Sequence, residues 1–289
     1  MERKNSELSI VILDNKSMIL RRWIPKNKFT THLHEFDNRM KISSRFSAVS
    51  IGNHLYVLAE KSLYRIKYDD ITSKWEKLDD LDNAHGPAPT IVSNSGMLYI
   101  VGGGWELGVG MLSKTVSKYD TSLNRWERLK DKSLATDYSA IVASKGNIYC
   151  IGGFDDVDGL GASAQVERLN VVLEIWEGVS PMNETRWGAS AVECNEMIVV
   201  AGGWSRSDQL LKSVEIFDPF SNQWTFIKPM TKGRYRRLRL HTIEDNLYAV
   251  GGDHENRTIE KYDSSKDQWN IVHVFEPEIW ICESVTVRG

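Results

Sequence analysis

The stretch Met97-Leu98-Tyr99-Ile100-Val101-Gly102-Gly103 decides the fold, because the chain writes it again at 147–153, 196–203 and 246–252. The leading glycines Gly102, Gly152, Gly202 and Gly251 fall 50, 50 and 49 residues apart. Self-similarity at a period of this size is the signature of a repeat architecture. Each apolar run is short and rich in β-branched and aromatic residues, which predicts a strand buried on both faces, and the Gly pair after it predicts a tight bend. Beyond the bend an aromatic or apolar residue is followed, always seven positions later, by a Trp: Tyr68/Trp75, Tyr119/Trp126, Leu169/Trp176, Phe217/Trp224 and Tyr262/Trp269. Turn formers lie between the members of each pair, for example Asp120 to Asn124 and Asp218 to Asn222, so each repeat carries a hairpin of fixed length. The constant offset assigns these Trp residues to one packing slot per repeat. The distance from first Gly to aromatic is 17, 17, 15 and 11 residues, so length variation is confined to one loop per repeat, on what is often the binding face.

The order apolar strand, Gly-Gly, Tyr-Asp, Trp, then Pro-Met (Pro181-Met182, Pro229-Met230) and an Arg opening the next repeat (Arg186, Arg234) resembles the kelch motif, in which one repeat is one four-stranded propeller blade. The chain looks most like the kelch domain of BTB-BACK-kelch proteins. The resemblance implies an all-β, six-bladed propeller occupying 1–289 as one domain. Its blades are expected at about 8–36 plus 280–288, 45–78, 87–129, 137–179, 187–227 and 236–272. In the second blade Ala59-Glu60 stand where Gly-Gly is expected, and the loop after them is very short. The first blade is one strand short, and the β-rich segment after the last Trp supplies the missing strand. Closure of the ring by that C-terminal strand removes sheet edges that otherwise invite aggregation. BTB and BACK sequences are absent from these 289 residues, which leaves two readings open, a piece of a longer protein or a kelch-only protein.

A chain of 289 residues, 41% hydrophobic and with a net charge of −3, buries about three quarters of its unfolded surface and points to no partner class by charge. No apolar run reaches 18 residues and no apolar stretch follows a basic N-terminus, so neither a membrane span nor a secretory signal is expected. Cys150, Cys194 and Cys282 are odd in number and lack metal spacing, which favours a reducing, cytoplasmic location.

Candidate chemistry is sparse. The acidic loop after Phe154 places Asp156, Asp158, Gly161 and Glu167 on positions 1, 3, 6 and 12 of a calcium loop, but Leu160 breaks the pattern and a strand follows, so a solvated loop is the expectation and no metal is assigned. The basic run Lys232-Gly-Arg234-Tyr-Arg236-Arg237-Leu-Arg239 stands in an otherwise acidic chain without the broad positive surface of a nucleic-acid site. Arg239 aligns with the small residues Thr90, Ala140 and Ser190 on the innermost strand, where it either pairs with a buried acid or reaches into the channel. Neither the Ser-x-Asp-x-Gly-x-x-Trp boxes of sialidases nor a copper ligand set is present, so no catalytic residue and no cofactor is assigned and the chain is not expected to be an enzyme.

The loop face remains. Trp105, Phe154 and Trp204 lie at or next to the same repeat position past the Gly pairs, where the last repeat has Asp253-His254. They either pack between blades or form a shared surface, and aromatics with Arg dominate interaction hot spots. In the family, peptides dock on this face through the residue after Gly-Gly, the loop beyond it and the residue opening the first strand. Carried over, the openers are Pro87, Asp137, Trp187 and Arg236. Only Arg186 fits the family's Arg one step earlier, with Thr136 and Tyr235 standing there in other blades. The candidate partner-binding set is therefore Trp105, Phe154, Asp155, Asp137, Trp187, Trp204, Arg206, Arg236, Asp253 and His254. The resemblance implies a protein or peptide substrate, received on behalf of a cullin-RING ubiquitin ligase through BTB-BACK regions outside these residues. An actin-associated scaffold is the alternative, and an enzyme using the channel the third reading.

Overall fold

A computed structural model of the chain describes residues 8–14, 19–26, 29–36, 40, 46–81, 85, 90–103, 112–155, 161–252, 256–277, 279 and 281–288. Its strands are β1 (Leu8–Asp14), β2 (Ile19–Ile24) and β3 (Phe29–Glu35); β4 (Phe46–Ile51), β5 (His54–Ala59), β6 (Ser62–Lys67) and β7 (Glu76–Lys77); β8 (Thr90–Asn94), β9 (Met97–Val101), β10 (Val116–Asp120) and β11 (Arg125–Arg128); β12 (Ala140–Ser144), β13 (Asn147–Asp155), β14 (Gly161–Asn170) and β15 (Ile175–Val179); β16 (Ser190–Cys194), β17 (Met197–Ala201), β18 (Val214–Asp218) and β19 (Gln223–Ile227); β20 (Arg239–Ile243), β21 (Asn246–Val250), β22 (Thr258–Asp263) and β23 (Gln268–Val274); and β24 (Ile281–Arg288). They form six four-stranded antiparallel sheets, each a meander. The first strands touch in a closed cycle, β4 to β8 to β12 to β16 to β20 to β24 and back to β4, so they line the axis of a six-bladed propeller. No helix of the described residues is long and apolar enough to cross a membrane.

Closure follows the expected route. β24 pairs antiparallel with β1 from Leu8↔Arg288 to Asp14↔Ile281 and becomes the innermost strand of blade one. It is tied to both neighbouring blades: the Tyr68 hydroxyl donates to the Arg288 carbonyl (2.7 Å) and the Ser50 hydroxyl to the Thr286 carbonyl (2.6 Å) on one side. On the other, His241 contacts the hydroxyls of Ser284 and Thr286, and Arg239 contacts Glu283.

The second strands are mainly apolar because they sit between sheet neighbours and under adjacent blades; Leu98, Ile148, Ile198 and Ala249 are fully buried. The outer hairpins share one turn chemistry. Asp120 Oδ1 accepts from the Ser122 and Leu123 amides, Asn170 Oδ1 from Val172 and Leu173, and Asp218 Oδ1 from Phe220, which fixes the turn and hence the spacing to the Trp. That spacing has its purpose at the blade junction. The indole N–H of Trp75, Trp126, Trp176, Trp224 and Trp269 donates to the carbonyl of Glu35, Asp79, Lys130, Ser180 and Lys228 respectively, in each case reaching back to the preceding blade at 2.8–3.1 Å.

The Gly pairs do different work. In blade five Gly202 and Gly203 have φ of 66° and 94°, a region L side chains rarely enter, and a Cβ on Gly202 would stand 2.3 Å from the Arg234 carbonyl of the next blade. Blade two manages without the pair because β5 runs straight into β6 through a two-residue turn with Glu60 at φ 55°.

The segments opening blades five and six are then locked to the blades they enter. Arg186, fully buried, donates to Glu215 (3.0 Å) and to the carbonyls of Gly202 and Ser213, and Arg234 makes the same set with Glu260 (2.6 Å), Gly251 and Thr258. These matching contacts show that Arg234, not Tyr235, is the counterpart of Arg186. Counting back from Gly251 misses this because blade six has one extra residue before β20, taken up where the Arg237 amide turns back to the Tyr235 carbonyl (2.7 Å). The same shift makes Tyr235, not Arg236, the opener equivalent to Asp137 and Trp187. The calcium pattern also lapses: both carboxylate oxygens of Glu167 accept backbone N–H groups, from Ser133 (2.9 Å) and Leu134 (3.0 Å), while Asp156 and Asp158 lie outside the described residues.

Two substitutions test this assignment. Trp269→Ala, removing a side chain only 6% exposed, should lower unfolding free energy by about 3–5 kcal/mol in urea titration. Arg186→Ala should cost a similar 3–5 kcal/mol, because Glu215 is then left buried without its cation. A fully stable Arg186→Ala protein would show that this Arg is not a lock.

Candidate functional site

The two openings of the ring differ. One carries the first-to-second and third-to-fourth hairpins; the other carries the blade openings, the Gly pairs and the variable loops. On the second face the opener and the residue after Gly-Gly form an antiparallel bridge, Asp137 with Phe154 and Trp187 with Trp204, each through two backbone hydrogen bonds of 2.6–3.0 Å. A backbone arc joins three blades there: the Gly188 amide donates to the Tyr138 carbonyl (2.8 Å) and the Arg236 amide to the Gly188 carbonyl (2.7 Å). Tyr138, Gly188 and Arg236 occupy one equivalent position and all have positive φ, 51°, 65° and 56°. For Tyr and Arg that conformation costs about 1–2 kcal/mol, and residues held in it against that cost cluster at functional sites.

The arc gathers aromatic side chains. Trp187 lies at its centre, with ring centroids 5.6 Å from Tyr138, 6.2 Å from Phe154 and 6.0 Å from Tyr235, and Tyr235 lies 5.3 Å from Trp204. All five rings are half-buried, so one edge or face of each meets solvent. The exposed Arg236 places its guanidinium carbon 5.4, 5.3 and 5.5 Å from the centroids of Tyr138, Trp187 and Tyr235, within cation–π range. Phe154 is seated on Gly161, where a Cβ would come within 2.7 Å of its ring. Trp204 is fixed by its indole N–H on Asp208 Oδ1 (2.7 Å).

Of the residues expected here from sequence, the structure brings together Phe154, Trp187, Trp204 and Arg236. Asp137 bridges to Phe154 through its backbone, and its buried side chain accepts the Tyr138 amide at 2.7 Å. Asp155 follows Phe154 on the same strand, pairs with Gly161 and points to the opposite side of the hairpin. Arg206 is exposed on the adjoining loop, its amide on Thr185 Oγ1 (3.0 Å). Trp105, Pro87, Asp253 and His254 lie outside the described residues. Sequence reading missed Tyr138 and Tyr235 as members of the cluster. The signal that would have found them is two aromatics two and one residues after the lock position, Thr136 and Arg234.

The channel offers a different environment. Arg239, on the innermost strand β20, pairs with the buried Glu283 of β24 through two contacts, 2.5 and 2.7 Å, so of its two expected fates the ion pair is realised. Burial pushes the Glu283 carboxyl above its ordinary range, with Arg239 opposing. Next to it, burial and then the Arg239 charge pull His241 down to about 3, so this imidazole is neutral at any physiological pH and bridges Ser284 and Thr286. These groups hydrogen-bond across the closing seam. Among the described residues no cluster of His, Cys, Asp and Glu has metal-binding geometry.

The molecule is thus a six-bladed propeller with a preformed aromatic surface at one mouth. The family model described as Kelch motif matches residues 87–133, 136–183 and 186–231. Similar curated proteins are Kelch-like protein 35 of Mus musculus, 29% identical over 157 residues (54% of this chain, 26% of the relative), and Kelch-like protein 25 of Homo sapiens, 27% identical over 247 residues (78% of this chain, 40% of the relative). The chain therefore spans between about a quarter and two fifths of these relatives' length. Among solved structures, one titled "Structure of YjhT" superposes with a TM-score of 0.68 at 15% identity, covering 80% of this chain and 84% of that one. The chain is a kelch-repeat β-propeller, like the kelch domains of the Kelch-like proteins.

The pH dependence of stability tests the seam. Because the His241 pKa is depressed in the fold, its contribution is present above about 6.5 and is lost as pH falls from there towards 3. His241→Asn should therefore show a smaller drop in urea midpoint between pH 7.5 and 5 than the wild type. Equal drops would show that His241 is not the group that titrates on unfolding.

Proposed function

We propose that this propeller is a non-catalytic receptor that binds a short segment of a partner protein across the aromatic mouth, and that it does so as the substrate-receptor part of a cullin-RING ubiquitin ligase adaptor. One observation carries the binding reading: five aromatic rings from three consecutive blades meet beside an exposed arginine, on a backbone arc that holds two non-glycine residues at positive φ. Aromatics and Arg in a preorganised cluster are what interaction hot spots are made of. A surface already rigid before binding also loses little entropy on complex formation. The ligase reading is supported by the similarity to Kelch-like proteins, whose remaining length is where the regions contacting a ligase would lie.

The test separates mouth, channel and outer edge. Trp187→Ala and Trp204→Ala should each weaken a captured partner by about 2 kcal/mol or more, with little change in melting temperature, and Ser264→Ala in an outer hairpin turn should change neither. Affinity capture from cell extract, quantified by mass spectrometry, compares wild type with the Trp187→Ala/Trp204→Ala double variant. An identical partner set would overturn the mouth as the binding site and leave the scaffold reading, which uses outer blade edges. The ligase part is judged by turnover: partners lost from the double variant should accumulate in cells where it replaces the wild type. Unchanged half-lives would overturn it.

A further inference from the structure

Arg236 stands apart from the rest of its basic run. Arg234 is fully buried against Glu260 and Arg239 is paired with Glu283, whereas among the described residues no carboxylate lies within ion-pair distance of Arg236 and its guanidinium makes no hydrogen bond. What surrounds it is a cup of three rings. The guanidinium carbon lies 5.4 Å from the centroid of Tyr138, 5.3 Å from Trp187 and 5.5 Å from Tyr235, so walls from three consecutive blades converge on one cation. Gly188, at the rim position between Tyr138 and Arg236, puts no side chain into the cup; a Cβ there would stand 3.5 Å from Arg236 Cγ. The rings attract positive charge through their faces but accept none of the five N–H groups, which are left to water. A guanidinium is therefore an imperfect occupant of a site shaped for a cation without donors.

We infer that the cup of Tyr138, Trp187 and Tyr235 is a recognition site for a methylated lysine of the partner segment, and that Arg236 is a tethered occupant which the methylammonium group displaces. The inference rests on the mouth being the protein-binding site and names what it reads. A trimethylammonium group keeps its charge, has no N–H to satisfy and packs its methyl groups against ring faces, which is the chemistry aromatic cages recognise. Unmodified lysine brings three N–H donors that the rings leave without acceptors. Two features make Arg236 exchangeable. Its side chain is held by no directional bond, and the backbone that carries it is fixed independently, at φ 56° by the bond to the Gly188 carbonyl, so the guanidinium can swing out while the arc stays. While Arg236 is in, only the fraction of molecules with an open cup binds, and the apparent affinity for any other cation falls by that fraction. A lone methylated lysine is thus a weak ligand of the wild type, and the flanking segment, held against Phe154 and Trp204, supplies the remaining affinity.

Arg236→Gly opens the cup without disturbing the arc, because φ 56° suits glycine and the equivalent position of blade five is already Gly188. The probe is Nα-acetyl-trimethyllysine amide, titrated into wild type, Arg236→Gly and Arg236→Gly/Trp187→Ala and followed by the NMR shifts of its terminal group. The dimethyl, unmodified and uncharged tert-butyl analogues are titrated beside it. Arg236→Gly should keep the wild-type melting temperature and bind the trimethyl probe at least about tenfold more tightly than wild type does. Affinity should fall from trimethyl to dimethyl to unmodified lysine, and the tert-butyl analogue, with the shape but not the charge, should bind at least about tenfold more weakly than the trimethyl probe. Trp187→Ala in the opened background should abolish saturable binding, and Trp187→Phe, which keeps a ring face, should retain part of it. Equal affinity for the tert-butyl analogue would make the cup an apolar pocket and overturn the inference. A wild type that binds as tightly as Arg236→Gly, a preference for unmodified lysine, or no saturable binding by Arg236→Gly would overturn it as well. So would choline binding more tightly than the lysine probe, which points to a small free cation instead of a side chain. If the Trp187→Ala/Trp204→Ala variant loses partners from extract while Arg236→Gly binds no cation, only this inference falls and the mouth stands as a protein-binding site. A cup that takes the probe while the double variant keeps every partner removes the mouth reading, and the methylated lysine of a partner with it.

Discussion

The carbonyl of the first glycine in each Gly pair is the constraint the ring depends on. There the second strand leaves its ladder so that the loop can swing out, and the carbonyl loses its sheet partner inside a crowded junction where water has no access. A buried acceptor of this kind has to find a donor. Four blades supply one from the segment that opens the same blade: His85 Nδ1 for Gly102, the Ser139 hydroxyl for Gly152, and the guanidinium groups of Arg186 and Arg234 for Gly202 and Gly251. The donors differ in charge and size while the acceptor stays. Blade two, where β5 and β6 keep pairing to Ala59 and Ser62, has no such carbonyl to serve.

Seen this way, the buried ion pairs are consequences of the donor chosen. A guanidinium in that slot brings a charge that requires an acid, and Glu215 and Glu260 provide it; with His85 in the slot the matching position on β10 is Ser117, whose hydroxyl meets Nε2 at 2.7 Å. Buried pairs of this sort add little net stability over an apolar replacement. Their effect here is positional. The segments opening blades five and six are each bound by a side chain to the blade they enter and by a carbonyl to the Gly pair of the blade they leave, since Gly153 and Gly203 donate to Arg186 O and Arg234 O at 2.7 Å. Blade-to-blade geometry is thereby fixed at the loop face, while the Trp indoles fix it at the outer hairpins.

Much of this was legible in the sequence, and the reason is physical. Buried second strands must be apolar, the bend after them excludes side chains, and the Trp must reach a carbonyl of the neighbouring blade from a turn of set length; all three leave residues at regular spacing. The closing strand was legible by subtraction, since blade one had too few strands and the chain continued past the last Trp. The mouth was legible only in part. Tyr138 and Tyr235 carry no periodic mark, because their membership follows from the left-handed turn after the lock position, which Tyr138 and Arg236 adopt without glycine. The inserted residue near Arg237 shifts the apparent register of blade six by one, so counting back from Gly251 puts Tyr235 at the lock position and Arg236 at the opener. The acid partner of Arg239 lies 44 positions away on the closing strand, and nothing local announces it.

The same junction chemistry explains how the mouth can sit on loops and still be rigid. Trp187, Gly188, Tyr235 and Arg236 follow Arg186 and Arg234 by one and two positions, so their backbone starts from a residue already tied to two blades, and the bonds from Gly188 to Tyr138 and from Arg236 to Gly188 carry that fixation from blade four to blade six. Length variation is free to accumulate further along, between the Gly pair and the third strand, without moving the platform. Position on the rim is therefore set by the repeat, and identity on the rim is left open: the equivalent site holds Tyr138, Gly188 and Arg236 in three successive blades. A fold in which a fixed backbone position accepts a ring, a hydrogen atom or a cation can change what it reads by single substitutions that leave the junctions untouched. The chemistry of the mouth is thus carried by a few side chains, while the ring is held together one turn beneath them.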